Sequence, residues 1–175
     1  MSPFFPRETI EWHVEEPAAL RRLSLSLPAM AVLSGVLIRL YRLAVLTWLP
    51  TSNPWGFIAA YAGGLLIVLG LATLHLGNYP VRHWIWRAPL FGAIEAAAAL
   101  LTSALLVSAG VERMGTSPMT WSALRADIVP ALVRHVATIG IFALILAIVV
   151  QTVRVALLRH EHREHTLEAV HDSNE

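Results

Sequence analysis

Glu95 is the residue around which any chemistry in this sequence has to be arranged. It stands alone among apolar and small residues between Pro89 and Gly110, and no other charge falls in that run. An acid so placed has three physical solutions: it is protonated, it is paired, or it faces water. Arg39 and Arg42 interrupt the first apolar run, while Arg134 and His135 lie in the first turns of the last one. Arg39, Arg42, Glu95, Arg134 and His135 are therefore the intramembrane charge candidates. With a rise of about 1.5 Å per helical residue, Glu95 lies about 9 Å in from Pro89, and Arg39 about 15–18 Å in from the same side. Two extended side chains could close that gap, so an Arg39–Glu95 pair is expected, with Arg42 reaching outward. Such a pair either fixes helix packing or lines a proton or ion path. Arg39 and Arg42 are too few for a voltage-sensing helix, which moves several charges per subunit.

Histidine offers two further readings. His75 and His135 suggest haem ligation, but they fall at opposite ends of their spans and should not share one porphyrin. Near the end of the chain, His160, His162 and His165 cluster with Glu164, and on a helix His162 and His165 share a face, as do His160 and Glu164. A divalent metal such as zinc could bind there, although the spacing matches no closed site and a solvated helix of alternating charge explains the same residues. No cofactor is expected, with haem or a divalent metal as the secondary reading. Cys is absent, which removes disulfides, thiolate metal sites and dithiol chemistry. A glycine-rich phosphate loop, His-Glu-x-x-His and Gly-x-Ser-x-Gly are absent too, so no catalytic residue is assigned and an enzyme is not expected.

The elements that must position these residues are four long apolar runs. Apolar types make up 56% of the 175 residues against 14% charged, and mean hydropathy is +0.60. A water-soluble domain of this size could not bury so much apolar surface. The reading is an all-α integral membrane protein: a four-helix transmembrane bundle of two antiparallel hairpins, with spans at about 28–49, 56–76, 89–110 and 130–158. Residues 1–27 form a polar lead-in without the layout of a cleavable signal, so the first span should insert uncleaved. Residues 159–175 form a His/Glu/Arg tail. Between spans two and three, Tyr79, Trp84 and Trp86 among Arg82, His83 and Arg87 resemble a headgroup-level belt. Residues 111–129 read as the longest internal loop.

Small residues supply the packing signal. Gly92, Ala96, Ala99 and Ser103 share a face of the third span, and Gly63, Gly64 and Gly70 open the second, so these two helices are expected to pack closely together. All 13 basic residues are Arg, and the net charge of +1 gives no sign of a nucleic-acid partner. More arginines fall near the ends shared with the two termini than near the other side, which sets both termini in the cytoplasm across a cell (inner) membrane. The expected partners are the lipid bilayer and other membrane subunits or further copies of the chain. The function first expected is a non-catalytic subunit or assembly component of a membrane complex; the alternative is a small transporter or proton-coupled channel using Glu95 and Arg39. A haem- or metal-binding membrane protein comes third.

Overall fold

A computed structural model defines the fold over residues 23–49, 54–114 and 117–172, and defines side chains there except at 113, 114, 117 and 157–172. Most of the lead-in, including Arg21 and Arg22, lies outside the described residues. Among the described residues four long helices follow one another: α1 (Leu27–Trp48), α2 (Pro54–Leu76), α3 (Trp84–Ser108) and α4 (Trp121–Asp172). All four contain stretches long and apolar enough to cross a membrane.

The helix starts are set by local chemistry. Ser26 caps α1, its Oγ accepting the Ala29 amide at 3.4 Å, and Pro28 sits in the first turn where a missing N–H costs nothing. Thr120 does the same for α4, accepting from the Ala123 amide at 3.3 Å. Two helices begin earlier than the sequence suggests. Pro89 and Pro130 do not open α3 and α4; both lie inside. Each forfeits one intrahelical bond, to the carbonyl four residues back, while the chain ahead of it stays helical. The loop expected over 111–129 accordingly shrinks to a short connection carrying a two-residue antiparallel ladder, Arg113–Met114 against Ser117–Pro118. The backbone of the tail continues α4 to Asp172.

α3 is the central element, packing most extensively on α4 and α1, while α1 also covers α2. The small face of α3 is buried as expected: Ala96, Ala99 and Ser103 are all enclosed. Its neighbours are not the expected ones. α2 barely touches α3, because the glycines of α2 open elsewhere. Gly63 lies under the Tyr41 ring of α1, Gly64 faces Ile38 and Arg42 of α1, and Gly70 has nothing within 4 Å of where a side chain would start. The close approaches to α3 use one glycine from α1 and one from α3 itself. A Cβ at Gly35 would overlap the Glu95 carbonyl and lie 2.9 Å from the Ala99 amide nitrogen, whereas one at Gly92 would lie 2.9 Å from Val136 Cα on α4. Met30, Ile38, Val68, Leu76, Phe91 and Ile139 fill the core between these crossings.

The turn joining α2 to α3 corrects the belt reading in part. Trp84 is 2% exposed, and its indole N–H donates to the Leu76 carbonyl at 2.8 Å and the Tyr79 carbonyl at 3.0 Å. It adds a second donor to the Leu76 carbonyl, which also accepts the Tyr79 amide, and so ties the start of α3 to the end of α2. Trp86, by contrast, is exposed.

Candidate functional site

Glu95 stands eleven residues into α3, about 16 Å from its start and close to mid-height. Its carboxylate is fully enclosed (0% exposed), and its Oε2 pairs with Nδ1 of His135 on α4. Oε1 has no hydrogen-bond partner among the described residues. The pairing expected with Arg39 does not form. The reason is helix register: His135 is fourteen residues into α4, about 21 Å from its start, so it reaches the same level as Glu95 instead of lying at the end of its span. Both residues sit beside a glycine crossing. The Gly35 contact touches the Glu95 backbone, and the Gly92 contact touches the His135 carbonyl and Val136. Small residues thus bring three backbones close enough for an acid and an imidazole to meet across α3 and α4.

Arg39 turns instead to Glu112, an acid that sequence reasoning left among the loop charges. Arg39 Nη1 lies 3.4 Å from Glu112 Oε1, and the Ser103 hydroxyl donates to the same oxygen at 3.3 Å. The chain reaches this position through a reversal at the end of α3. Gly110 has φ +70°, its amide donates to the Val107 carbonyl, and the Val111 amide donates to the Leu106 carbonyl, both at 3.0 Å. That is a Schellman ending, and it folds Glu112 back against the bundle. Burial pushes the Glu112 carboxyl above its usual range, with Arg39 and the Ser103 hydroxyl pulling the other way. The Ser-Ala-Gly sequence closing α3 was the available signal for this fold-back.

Arg42 does not reach outward. Its guanidinium lies 4.7 Å from the Tyr61 ring centroid, Nε is buried without a hydrogen bond, and no carboxylate pairs with it among the described residues. Arg134 is 56% exposed and lies 3.7 Å from Asp127. Because α2 and α4 scarcely meet, a cleft of about 100 Å³ opens between them, floored by α1. Arg42, Arg134, His135 and Thr138 give it a polar lining, and Ile38 and Leu65 are among its apolar walls. Four of the five charge candidates, all but Arg39, therefore meet at or beside this cleft.

His75 is held differently. Its Nδ1–H donates to the Ser24 carbonyl at 2.9 Å, and Nε2 accepts from Arg87 Nη1 at 3.2 Å, so both ring nitrogens are used. Arg87 also lies 3.4 Å from the Tyr79 ring centroid. For the tail candidates His160, His162, Glu164 and His165 the backbone is helical, but their side chains lie outside the described ones. Among the described residues, no three of His, Asp and Glu gather at metal-holding spacing.

The four apolar helices are compatible with a multi-pass membrane protein. Comparison with known protein families, with curated proteins and with solved structures finds no match.

Proposed function

We propose that this chain is a multi-pass membrane protein that handles ions, with Glu95 and His135 taking up and releasing one proton midway across the bilayer. The observation that carries the reading is a wholly enclosed carboxylate whose imidazole partner lines a cleft. A neutral imidazole donating Nδ1–H to the Glu95 carboxylate gives the pair a net charge of −1. One further proton, taken on the other ring nitrogen or on the carboxylate, brings it to zero. A carboxylate stripped of water at this depth is costly, and conversion between those two states is the use to which intramembrane acids are commonly put. Polar groups continue away from the pair toward both ends. Toward the Trp121 end lie Arg39, Ser103 and Glu112; toward the Trp84 end the rings and apolar groups of Phe91, Ala88 and Trp84 come first, with His75 and Arg87 beyond them.

The orientation we propose sets both termini in the cytoplasm across a cell membrane. Its support is the excess of arginine, with Arg82, Arg87, Arg154, Arg159 and Arg163 at one end against Arg113, Arg125 and Arg134 at the other. The test is proton movement in liposomes holding the purified chain and a trapped pH dye. Glu95→Gln keeps a hydrogen bond to His135 but removes the titrating group. It is expected to abolish the flux while leaving a monodisperse, helical protein. Equal flux from wild type and Glu95→Gln would end the proposal.

A second reading, a non-catalytic subunit of a membrane complex, is favoured by α4. Its 52 residues extend about 78 Å, far beyond one bilayer crossing, and only 11% of its most apolar stretch is buried, against 44% in α3. A helix so uncovered is suited to a further copy or a different membrane partner. A complex that survives mild detergent and an absence of flux from the isolated chain would favour this second role.

A further inference from the structure

The cleft between α2 and α4 contains a charge that the proton reading does not use. Arg42 enters from α1 at about two-thirds of the helix length, in the same layer as Arg134 and His135. Arg39 is paired with Glu112 and Arg134 approaches Asp127, while Glu95 is engaged by His135. Arg42 is in contact with the face of Tyr61 and makes no ion pair among the described residues; the charges around it are the like charges of Arg39 and Arg134 and, more weakly, the carboxylate of Glu95, which His135 already engages. A guanidinium in an apolar layer without an anion is costly, and the five N–H donors of this group are suited to planar oxyanions and to halides. The cleft beside it holds about 100 Å³. That is room for about three waters, or for one ion of similar bulk. Thr138 adds a hydroxyl donor to the lining, and Ile38, Leu65 and Val68 supply apolar walls that keep water few and strengthen electrostatic attraction.

We infer that this cleft is a binding site for one small monovalent anion, a halide or a carboxylate or nitrate of similar size. Arg42 is the principal ligand, and Arg134 and Thr138 contribute from α4. Charge decides the class: one anion neutralises the guanidinium that lines the cleft without an ion-paired carboxylate among the described residues. Size decides the rest, since the space does not take a phospholipid headgroup with its glycerol. The site goes beyond the proton proposal and needs no proton movement, so a binding result and a flux result are read independently.

The experiment is saturable binding of radiolabelled chloride to the purified full chain in detergent, with formate, nitrate and a soluble glycerophosphate as competitors. Wild type is expected to bind chloride and to lose it to formate and nitrate. Arg42→Met should weaken binding at least about tenfold, the scale for removing the charged partner of a desolvated anion. Arg82→Met, exposed at the far end of the bundle, should leave it unchanged. Leu65→Trp fills the cleft without touching a charge and should also remove binding, which covers the case in which Arg42→Met does not fold. Absence of saturable binding, binding that survives Leu65→Trp, or displacement by glycerophosphate alone would each overturn the inference.

Discussion

His75 and His135 are both buried imidazoles on long apolar helices, yet their surroundings differ in one respect that separates support from chemistry. His75 has both nitrogens committed, one to the Ser24 carbonyl and one to Arg87, with the Phe91 and Tyr79 rings beside it at centroid distances of 5.8 and 5.2 Å. Every polar atom of that ring is satisfied by a neutral acceptor or a fixed cation, so nothing there is free to exchange. His135 has one nitrogen on a carboxylate, its ring lines a cleft, and the partner carboxylate keeps an oxygen without a hydrogen bond among the described residues. A satisfied network rigidifies, whereas an unpaired polar atom in a low dielectric is costly to keep charged. The lesson is that burial alone does not mark a functional histidine. What marks His135 is burial beside open space against a carboxylate whose second oxygen has no hydrogen bond among the described residues.

The sharpest way to break this contrast is at the crossing that holds the acid against its imidazole. Gly92→Leu would drive a side chain into Val136 Cα and the His135 carbonyl, backbone atoms that have no rotamer by which to retreat. Overpacking of this kind should cost about 3 kcal/mol. Thermal unfolding in detergent should show a large drop for Gly92→Leu and almost none for Gly70→Leu, whose added side chain meets open space. Next in size is the other histidine. His75→Leu takes one of two donors from the Ser24 carbonyl, which keeps Asn78, and leaves one Arg87 donor without its partner, a loss of about 1–3 kcal/mol. Proton flux per folded molecule should not change. If His75→Leu stopped the flux while His135→Leu did not, the assignment of roles to the two residues would be reversed.

Much of this was legible in the residues, and the errors share one cause. Ser26 and Pro28 announce the start of α1, and the isolated acid at 95 correctly drew attention to the middle of α3. Its partner is not legible as long as each proline marks a helix start. Measured from Pro89, Glu95 lies about 9 Å in; measured from Trp84, about 16 Å. Measured from Pro130, His135 sits in a first turn, whereas from Trp121 it is at mid-height. Once both prolines are allowed inside their helices, the acid and the imidazole share a level, and the Thr120 cap was the signal that would have shown it. The glycines of α2 misled differently. A glycine offers backbone contact on whichever side a neighbour arrives, and only the tertiary arrangement brought α1 there and left α2 and α4 apart. The cleft has no signature in sequence, because it follows from a contact that does not form.

The smallest expected effect concerns Glu112, the acid that gives Arg39 its partner and so leaves Glu95 to His135. Burial raises the Glu112 carboxyl above its usual range in the folded chain, and Arg39 with Ser103 offsets part of that rise. Between the unfolded and the raised folded values, the folded state holds more protons than the unfolded one. This contribution to stability is therefore fully present below the ordinary carboxylate range and is lost as pH rises through the folded value. The direction is opposite to that of an acid whose partner wins over burial. Unfolding temperatures of wild type and Glu112→Gln, compared from pH 4 to pH 7, should diverge accordingly, with wild type losing ground to the variant as pH rises. A difference that moved the other way would mean that Arg39 outweighs burial, and that the network at the Trp121 end is a strong ion pair.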